Sequence, residues 1–357
     1  MGEMTKDPSM MPLVIAGPTA SGKSQLALRI AEKLHGEIIC CDSVAVYQGC
    51  SIGAASPSEY ERERIPHHLI GFVSPDVQYH AAQFVADASI ALKEIISRGR
   101  VPIIVGGTTL YLSALLNGLS VLPSRDLLFR SACDAQPIEV LYQRLYSLDP
   151  VYASTIAARD RMRITRALEI LSQGHDSMRD ALRKSAGEVS LPRALIINLY
   201  LEPELLRERI RIRVDNMFTQ GLVDEVRGVL ERFGSDAPPL KAVGYREVVE
   251  MLHGTLDESS ARERIAYATN QLAKRQRTFW RNEPRKRGWA VYPRPQDVSS
   301  TIRHVPDTMV HKRSGLVQRG SSVFVRSVSE CISLVEAQLP EMIKGDEPVR
   351  VCQVVVS

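Results

Sequence analysis

Gly17-Pro18-Thr19-Ala20-Ser21-Gly22-Lys23-Ser24 follows a short apolar run, Leu13–Ala16, and precedes apolar residues at helical spacing (Leu26, Ala27, Ile30, Ala31 and Leu34). The octapeptide fits G-x-x-x-x-G-K-[ST], and a strand before it with a helix after it is the setting that pattern requires. Its glycines let the chain wrap closely around an anion, and its backbone N–H groups point inward. The helix that follows adds its positive end. Lys23 supplies a mobile positive charge and the Ser24 hydroxyl a ligand for Mg2+. All eight residues are therefore expected to cradle a di- or triphosphate.

Outward from this loop, Gly36 reads as the stop of the first helix and Ile38–Cys41 as the next buried strand. Ala81–Ile96 has an amphipathic helical pattern ended by Gly99, and Val101–Val105 is a third strand running into Gly106-Gly107. Alternating strands and helices predict an α/β fold, a P-loop NTPase-like parallel sheet flanked by helices. Between 125 and 191 the strand signal gives way to helical patterns, which predicts a helical insertion domain. Ala194–Leu201 restores a strand, Glu204–Met217 is a charged helix, and Ala261–Trp280 is a long helix ending near Pro284. The expected organisation is a core over 11–124 and 192–287, the insertion over 125–191, and an extension over 288–357. That extension is expected to hold one helix within Val323–Ile343 and an apolar end, with no role assigned.

Composition narrows the class. In 357 residues, 44% are hydrophobic and 24% charged, ordinary for a soluble globular enzyme. No apolar run is long enough to span a bilayer, and Met1–Pro12 lacks a signal peptide's apolar centre, so a cytoplasmic protein is expected. The six cysteines form no C-x-x-C pair, which argues against zinc and against a disulfide framework. The net charge of +4 is unevenly spread: Lys241–Arg287 holds eleven basic residues against six acidic, and Arg159–Lys184 seven against four. Two basic zones on a near-neutral chain suit contact with a polyanion, or else solvated helix faces.

The loop alone does not name a reaction, since kinases, GTPases and ATPases share it. The N-K-x-D that reads guanine is missing, and the third strand runs into glycines where an ATPase carries an acidic Mg2+ residue. Asp42 directly follows the second strand, which places it at the carboxyl edge of the sheet, where such folds bind ligands. A carboxylate there can take a proton from a nucleophile, or it can cap a helix. Thr108 stands likewise after the third strand, beside glycines that permit close approach, and could equally cap the helix beginning near Leu110.

The motifs taken together resemble one family. Gly17–Ser24, Asp42-Ser43 with Val46-Tyr47, Ile52-Gly53, Pro66-His67-His68, Gly106-Gly107-Thr108 with Leu110-Tyr111, and Leu122-Pro123 are similar to the tRNA dimethylallyltransferases, also called tRNA isopentenyltransferases. Arg166-Ala167-Leu168-Glu169, Arg209-Ile210 with Arg213-Val214-Asp215, Val243-Gly244-Tyr245-Arg246-Glu247 and Ala273-Lys274-Arg275-Gln276 continue the likeness in order, from about Met11 to Arg287. The resemblance implies transfer of a dimethylallyl group from dimethylallyl diphosphate to N6 of the adenosine 3′-adjacent to the tRNA anticodon. The loop would then hold the diphosphate, with Mg2+ through Ser24. Asp42 would act as the base, Thr108 would orient the reactants, and Arg213 would face the leaving diphosphate. Arg213 read without the family is a surface ion-pairing residue.

By the same resemblance, tRNA contacts fall on Asp42, Ser43, Val44 and Ala45, and on Arg130, Met162, Arg163 and Arg166. Further along they fall on Lys241, Gly244, Tyr245 and Arg246, and on Lys274, Arg275, Arg277 and Arg281. Partners implied are the anticodon stem-loop and dimethylallyl diphosphate, with a monomer and no membrane. Phe279 and Trp280 read as core aromatics more readily than as base-stacking platforms. The chain departs from the family pattern at Ala54 and Ser56, at Asn270, and in the order Thr278-Phe279-Trp280-Arg281. Two competing readings are a P-loop small-molecule kinase using ATP, with Asp42 activating a hydroxyl, and a non-catalytic RNA binder. The basic helix is superfluous to the first, and the intact Gly-Lys-Ser loop to the second.

Overall fold

The computed structural model describes residues 11–119, 122, 126–184, 191, 194–287, 290–292, 323–325 and 349–356. From the N-terminus the elements are β1 (Leu13–Ala16), α1 (Lys23–Leu34), β2 (Gly36–Cys41), α2 (Glu59–Arg64), β3 (His67–His68), α3 (Ala81–Ser97), β4 (Val101–Gly106) and α4 (Thr109–Asn117). Five helices follow: α5 (Leu127–Asp134), α6 (Ile138–Leu148), α7 (Pro150–Ala153), α8 (Arg161–Leu171) and α9 (Met178–Lys184). The chain continues with β5 (Ala194–Leu201), α10 (Pro203–Thr219), α11 (Leu222–Phe233), α12 (Tyr245–Leu252) and α13 (Glu258–Arg287). Three short strands close it, β6 (Ala290–Tyr292), β7 (Val323–Val325) and β8 (Val349–Val356).

The chain divides into two compact units, one of 1–114 with 191–357 and one of Leu115–Ser190. The second unit covers Leu115–Ser190, alongside the insertion over 125–191 that the patterns suggested. The first unit is built on a parallel sheet in the order β3-β2-β4-β1-β5-β8-β6, with β7 paired to β8. Strand β1 is fully buried, as its unbroken Leu-Val-Ile-Ala run requires in a sheet covered on both faces. Leu26, Ala27, Ile30 and Ala31 of α1 pack onto that sheet with Leu13, Ile15, Leu195 and Ile197. Burial of Leu26 or Ile30 contributes about 1.5–3 kcal/mol each.

Three expectations change. Gly36 opens β2 and does not cap α1; the cap is His35 in the left-handed region, at φ 51°. A Cβ on Gly36 would lie 2.8 Å from the Val101 carbonyl, so close packing of β2 on β4 is what demands glycine. Helix α13 runs through Pro284 to Arg287. The proline stands in the final turn, where it removes its own N–H bond to the preceding turn and the helix ends three residues on. The C-terminal extension contributes strands: β8 pairs with β5 along its whole length, Ala194↔Val349 to Leu201↔Val356. Its valine-rich sequence suits a pleated surface. Residues 323–325 of the expected tail helix are strand, and the rest of it lies outside the described residues.

The second unit has its own core, in which Leu141 and Leu145 of α6 meet Ile164, Ala167, Leu168 and Ile170 of α8. Asp126, Asp149 and Asp160 cap α5, α7 and α8 through the backbone N–H groups of Phe129, Tyr152 and Arg163. No helix among the described residues is long and apolar enough to cross a membrane.

Candidate active site

Parallel pairing sets β1, β2 and β4 in register, Ile15↔Val105 and Cys41↔Gly106, so Gly17, Asp42 and Gly107-Thr108 leave the sheet at one edge. Gly17 sits at φ 141°, and a Cβ there would lie 2.7 Å from the Leu199 carbonyl. At Gly106 the added atom would lie 2.0 Å from the Cys41 carbonyl. These glycines let the turn after β1 press on β5 and the end of β4 press on β2. Within the loop, Ser21 Oγ is buried and has no hydrogen-bond partner. An orphaned buried hydroxyl is costly unless something supplies its bond. The Ser24 side chain, in the first turn of α1, is exposed.

Lys23 Nζ donates to the Pro18 carbonyl at 2.7 Å. Burial, reinforced by the Arg213 charge and opposed by Asp42, brings the ammonium pKa down to about 7. Burial also lowers Arg213, against the pull of Asp42. Lys23, Asp42 and Arg213 thus feel one another at the sheet edge. Arg213 Nη2 donates to the Ala54 carbonyl at 3.4 Å, a weak bond that leaves most of its donors unused. Arg209, one turn earlier on α10, has no hydrogen-bond partner among the described residues. Its Nη1 lies 3.9 Å from where a Cβ on Gly22 would sit.

Asp42 combines the two roles the sequence left open. Its Oδ1 accepts from the N–H groups of Val44 at 2.8 Å and Ala45 at 3.1 Å, a local turn-capping arrangement. Its Oδ2 has no partner among the described residues. Thr108 Oγ1 accepts from the Ser43 N–H at 3.2 Å, so the hydroxyl ties the β4–α4 turn to the Asp42 segment and keeps its own proton to donate. The neighbouring Cys40 and Cys41 thiols are driven up by burial, which leaves no thiolate to compete with Asp42.

Sequence reasoning missed two supports. Glu225 of α11 accepts from the N–H groups of Ser51, Ile52 and Gly53 at 2.8, 2.8 and 3.0 Å, and from the Tyr245 hydroxyl at 2.6 Å. It fixes the segment that ends at the Arg213 contact; three consecutive N–H groups bound to one distant carboxylate leave no trace in local sequence pattern. Gln276 of α13 accepts from the Thr19 N–H at 2.9 Å and donates to the Gly107 carbonyl at 2.8 Å. Its only sequence signal is its place in the Ala273–Gln276 motif.

The residues carried over as RNA contacts separate by exposure. Tyr245 is 0% exposed and packs on Gly53, where an added Cβ would strike its ring at 2.3 Å. It belongs to the Glu225 support and has no surface to offer RNA. Gly244 and Ala45 are also buried, while Ser43 is exposed and Val44 half-buried. Lys241 reaches Asp236 at 3.5 Å, and Arg246 pairs with Glu247. On α13, Lys274, Arg275 and Arg281 are exposed with no carboxylate partner among the described residues, and Arg277 leans on the Tyr200 phenol. Trp280 is buried, as the core reading expects; Phe279, edge-on to it at 5.2 Å, is only half-buried.

Within the second unit, Met162 is 80% exposed and Arg163 is exposed beside Asp160 at 3.3 Å. Arg130 and Arg166 both bind the fully buried Glu169, at 2.8 and 2.6 Å. Burial alone would raise this carboxyl, but those two guanidiniums and the Asp126 N–H bring it down to about 2. Both arginines are thereby committed to the core of the helical unit.

Comparison with known proteins finds relatives over most of the chain. The family model for IPP transferases matches residues 45–283. A tRNA dimethylallyltransferase of Geobacter sulfurreducens is 38% identical over 295 residues, covering 81% of this chain and 94% of the relative. The full-length tRNA isopentenylpyrophosphate transferase of Bacillus halodurans superposes with a TM-score of 0.59 at 28% identity, over 93% of this chain and 97% of that one. A eukaryotic dimethylallyltransferase, solved while acting on tRNA, gives 0.63 at 29% identity over 75% and 69%. The kinase reading that the loop alone permits finds no support among these relatives. On the extent of these matches, this chain belongs to the IPP transferase family.

Proposed function

We propose that this chain transfers a dimethylallyl group from dimethylallyl diphosphate to N6 of the adenosine 3′-adjacent to the anticodon of tRNA, releasing diphosphate. The observation that carries this is the meeting of Lys23, Asp42, Thr108 and Arg213 at one sheet edge in a chain of this family. In the step, the adenine N6–C1 bond of the prenyl group forms as the C1–O bond to diphosphate breaks. The diphosphate leaves with the bonding electron pair, and the N6 proton passes to Asp42 Oδ2. The Val44 and Ala45 N–H groups hold the other oxygen and so aim the base. The Thr108 hydroxyl is placed to donate beside it. Lys23, Arg213 and the loop N–H groups offset the charge that grows on the leaving diphosphate.

No group of three His, Cys, Asp or Glu side chains suited to a metal exists among the described residues. The donor set nevertheless fits Mg2+, which is commonly held by one or two protein oxygens and by substrate phosphates. Ser24 supplies such an oxygen, exposed at the loop. Bound there, Mg2+ would neutralise diphosphate oxygens. We further place the protein in the cytoplasm as a monomer, with RNA meeting the unpaired cations of α13 and the Met162–Arg163 corner of the helical unit. The target base must be unstacked to reach the sheet edge.

The test incubates the protein with Mg2+, labelled dimethylallyl diphosphate and unmodified tRNA bearing adenosine after the anticodon. Label entering that adenosine is expected. ATP consumption with a metabolite acceptor, and no labelled RNA, would overturn the reading.

A further inference from the structure

We propose that Gln276 is a positioning residue that couples RNA binding on α13 to the diphosphate loop, an inference that rests on the function proposed above. The residue is 5% exposed, and its amide is spent at both ends. Oε1 accepts from the Thr19 N–H at 2.9 Å, and Nε2 donates to the Gly107 carbonyl at 2.8 Å. One partner is a donor and the other an acceptor, so only one orientation of the amide satisfies both. The fit is close: a Cβ on Gly107 would lie 2.4 Å from Nε2, so glycine there makes room for the clamp. A single side chain thus fixes Thr19, the third residue of the phosphate loop, relative to Gly107, the residue before Thr108.

Its place on the helix gives the clamp a second role. Ala273, Gln276, Trp280 and Glu283 lie on the buried stripe of α13, which begins with Ala261 and Ile265. At 100° per residue, Lys274 and Arg281 stand on the opposite face, exposed and unpaired, and Arg275 is exposed on its flank. A polyanion seated on those cations pulls on the helix whose inner face holds the loop. Rotation or translation of α13 lengthens one or both amide bonds, so the state that keeps both is shared by RNA and diphosphate. Coupling of this kind is reciprocal: each ligand tightens the other by the same factor.

The experiment measures affinity for an anticodon stem-loop RNA by fluorescence anisotropy on the full chain, with and without saturating inorganic diphosphate and Mg2+. Wild type is expected to bind RNA at least about 5-fold more tightly with diphosphate, the lower end of ordinary coupling. Gln276→Met keeps the stem and volume without the amide, and its ratio is expected to fall to about one. Gln276→Asn, whose amide is one methylene too short to span both turns, is expected to do the same and serves if the first variant does not fold. General destabilisation would raise the ratio, because diphosphate refolds part of the chain, and so cannot mimic a fall to one. A ratio near one in wild type, or a wild-type ratio in both variants, overturns the coupling. Failure of wild type to bind diphosphate or RNA at all would instead overturn the proposed function.

Discussion

Lys23 offers a prediction whose size follows from its surroundings. Burial and Arg213 together lower its pKa to about 7, while Asp42 alone pulls the other way. The proposed diphosphate site would need the ammonium form. Below pH 7 that form is already present, and binding takes up no proton at Lys23. Above pH 7 the lysine is neutral before the anion arrives and must be charged on binding. Affinity therefore falls by the factor 1 + 10^(pH − 7), about 11-fold at pH 8 and about 100-fold at pH 9. The perturbation is Lys23→Arg, which stays charged throughout this range. Calorimetric titration with inorganic diphosphate from pH 6.5 to 9 should show wild type losing affinity relative to Lys23→Arg, with the difference opening near pH 7. Titration of the diphosphate itself cancels, because both proteins meet the same ligand. Parallel profiles would mean that Lys23 keeps an ordinary pKa, and the electrostatic account of the loop would fail.

Asp42→Asn should slow prenyl transfer by ~10²–10⁴-fold, the range for a lost general base, while RNA affinity survives; equal loss of both would make Asp42 structural. Glu169→Gln leaves Arg130 and Arg166 without their shared anion inside the helical unit and should cost about 3–5 kcal/mol in denaturant unfolding. Because Glu169 is held near 2, below its usual 4.5, its stabilisation is complete above about pH 4.5 and drains away as pH falls toward 2. The variant should lack that acid-sensitive part, and an unchanged acid transition would refute the assignment. Substituting Lys274 and Arg281 by Gln should reduce the slope of log affinity against log salt by about 1.4 for a single-stranded loop; an unchanged slope makes them solvated surface.

What the sequence disclosed and what it hid follow from the range of the interactions. Helix α1 and strands β1 and β5 were legible to the residue because apolar period and buried runs are local signals. Asp42 and Thr108 were legible as strand-end residues, since a parallel sheet puts all its carboxyl ends at one edge. The Glu225 and Gln276 supports were not, because each joins positions more than a hundred residues apart through hydrogen bonds, which have no periodicity. Tyr245 was carried over as an RNA contact by resemblance alone, and its buried ring, seated against Gly53, takes it away from any surface. Strand β8 was passed over because Val349–Val356 follows a stretch with no clear pattern, and a strand is confirmed only by its partner, here β5.

On the proposed chemistry, the arrangement of Asp42 would let one small site serve both proton transfer and diphosphate binding. A carboxylate near Lys23 and Arg213 would gain most by pairing with one of them, and either pair would cancel charges that the chemistry needs separately. Among the described residues Asp42 makes no ion pair; the Val44 and Ala45 N–H groups hold Oδ1 instead. Among the described residues Arg213 is occupied only by the long contact to Ala54, whose segment Glu225 holds from the far side. The two cations are left facing each other, and their mutual repulsion is part of what lowers Lys23. A diphosphate entering between them converts that repulsion into attraction, while Asp42 Oδ2 stays available for a proton. The backbone bonds at Asp42 thus do more than cap a turn. They keep base and cations from neutralising one another, which is the condition for both to act on the same substrate.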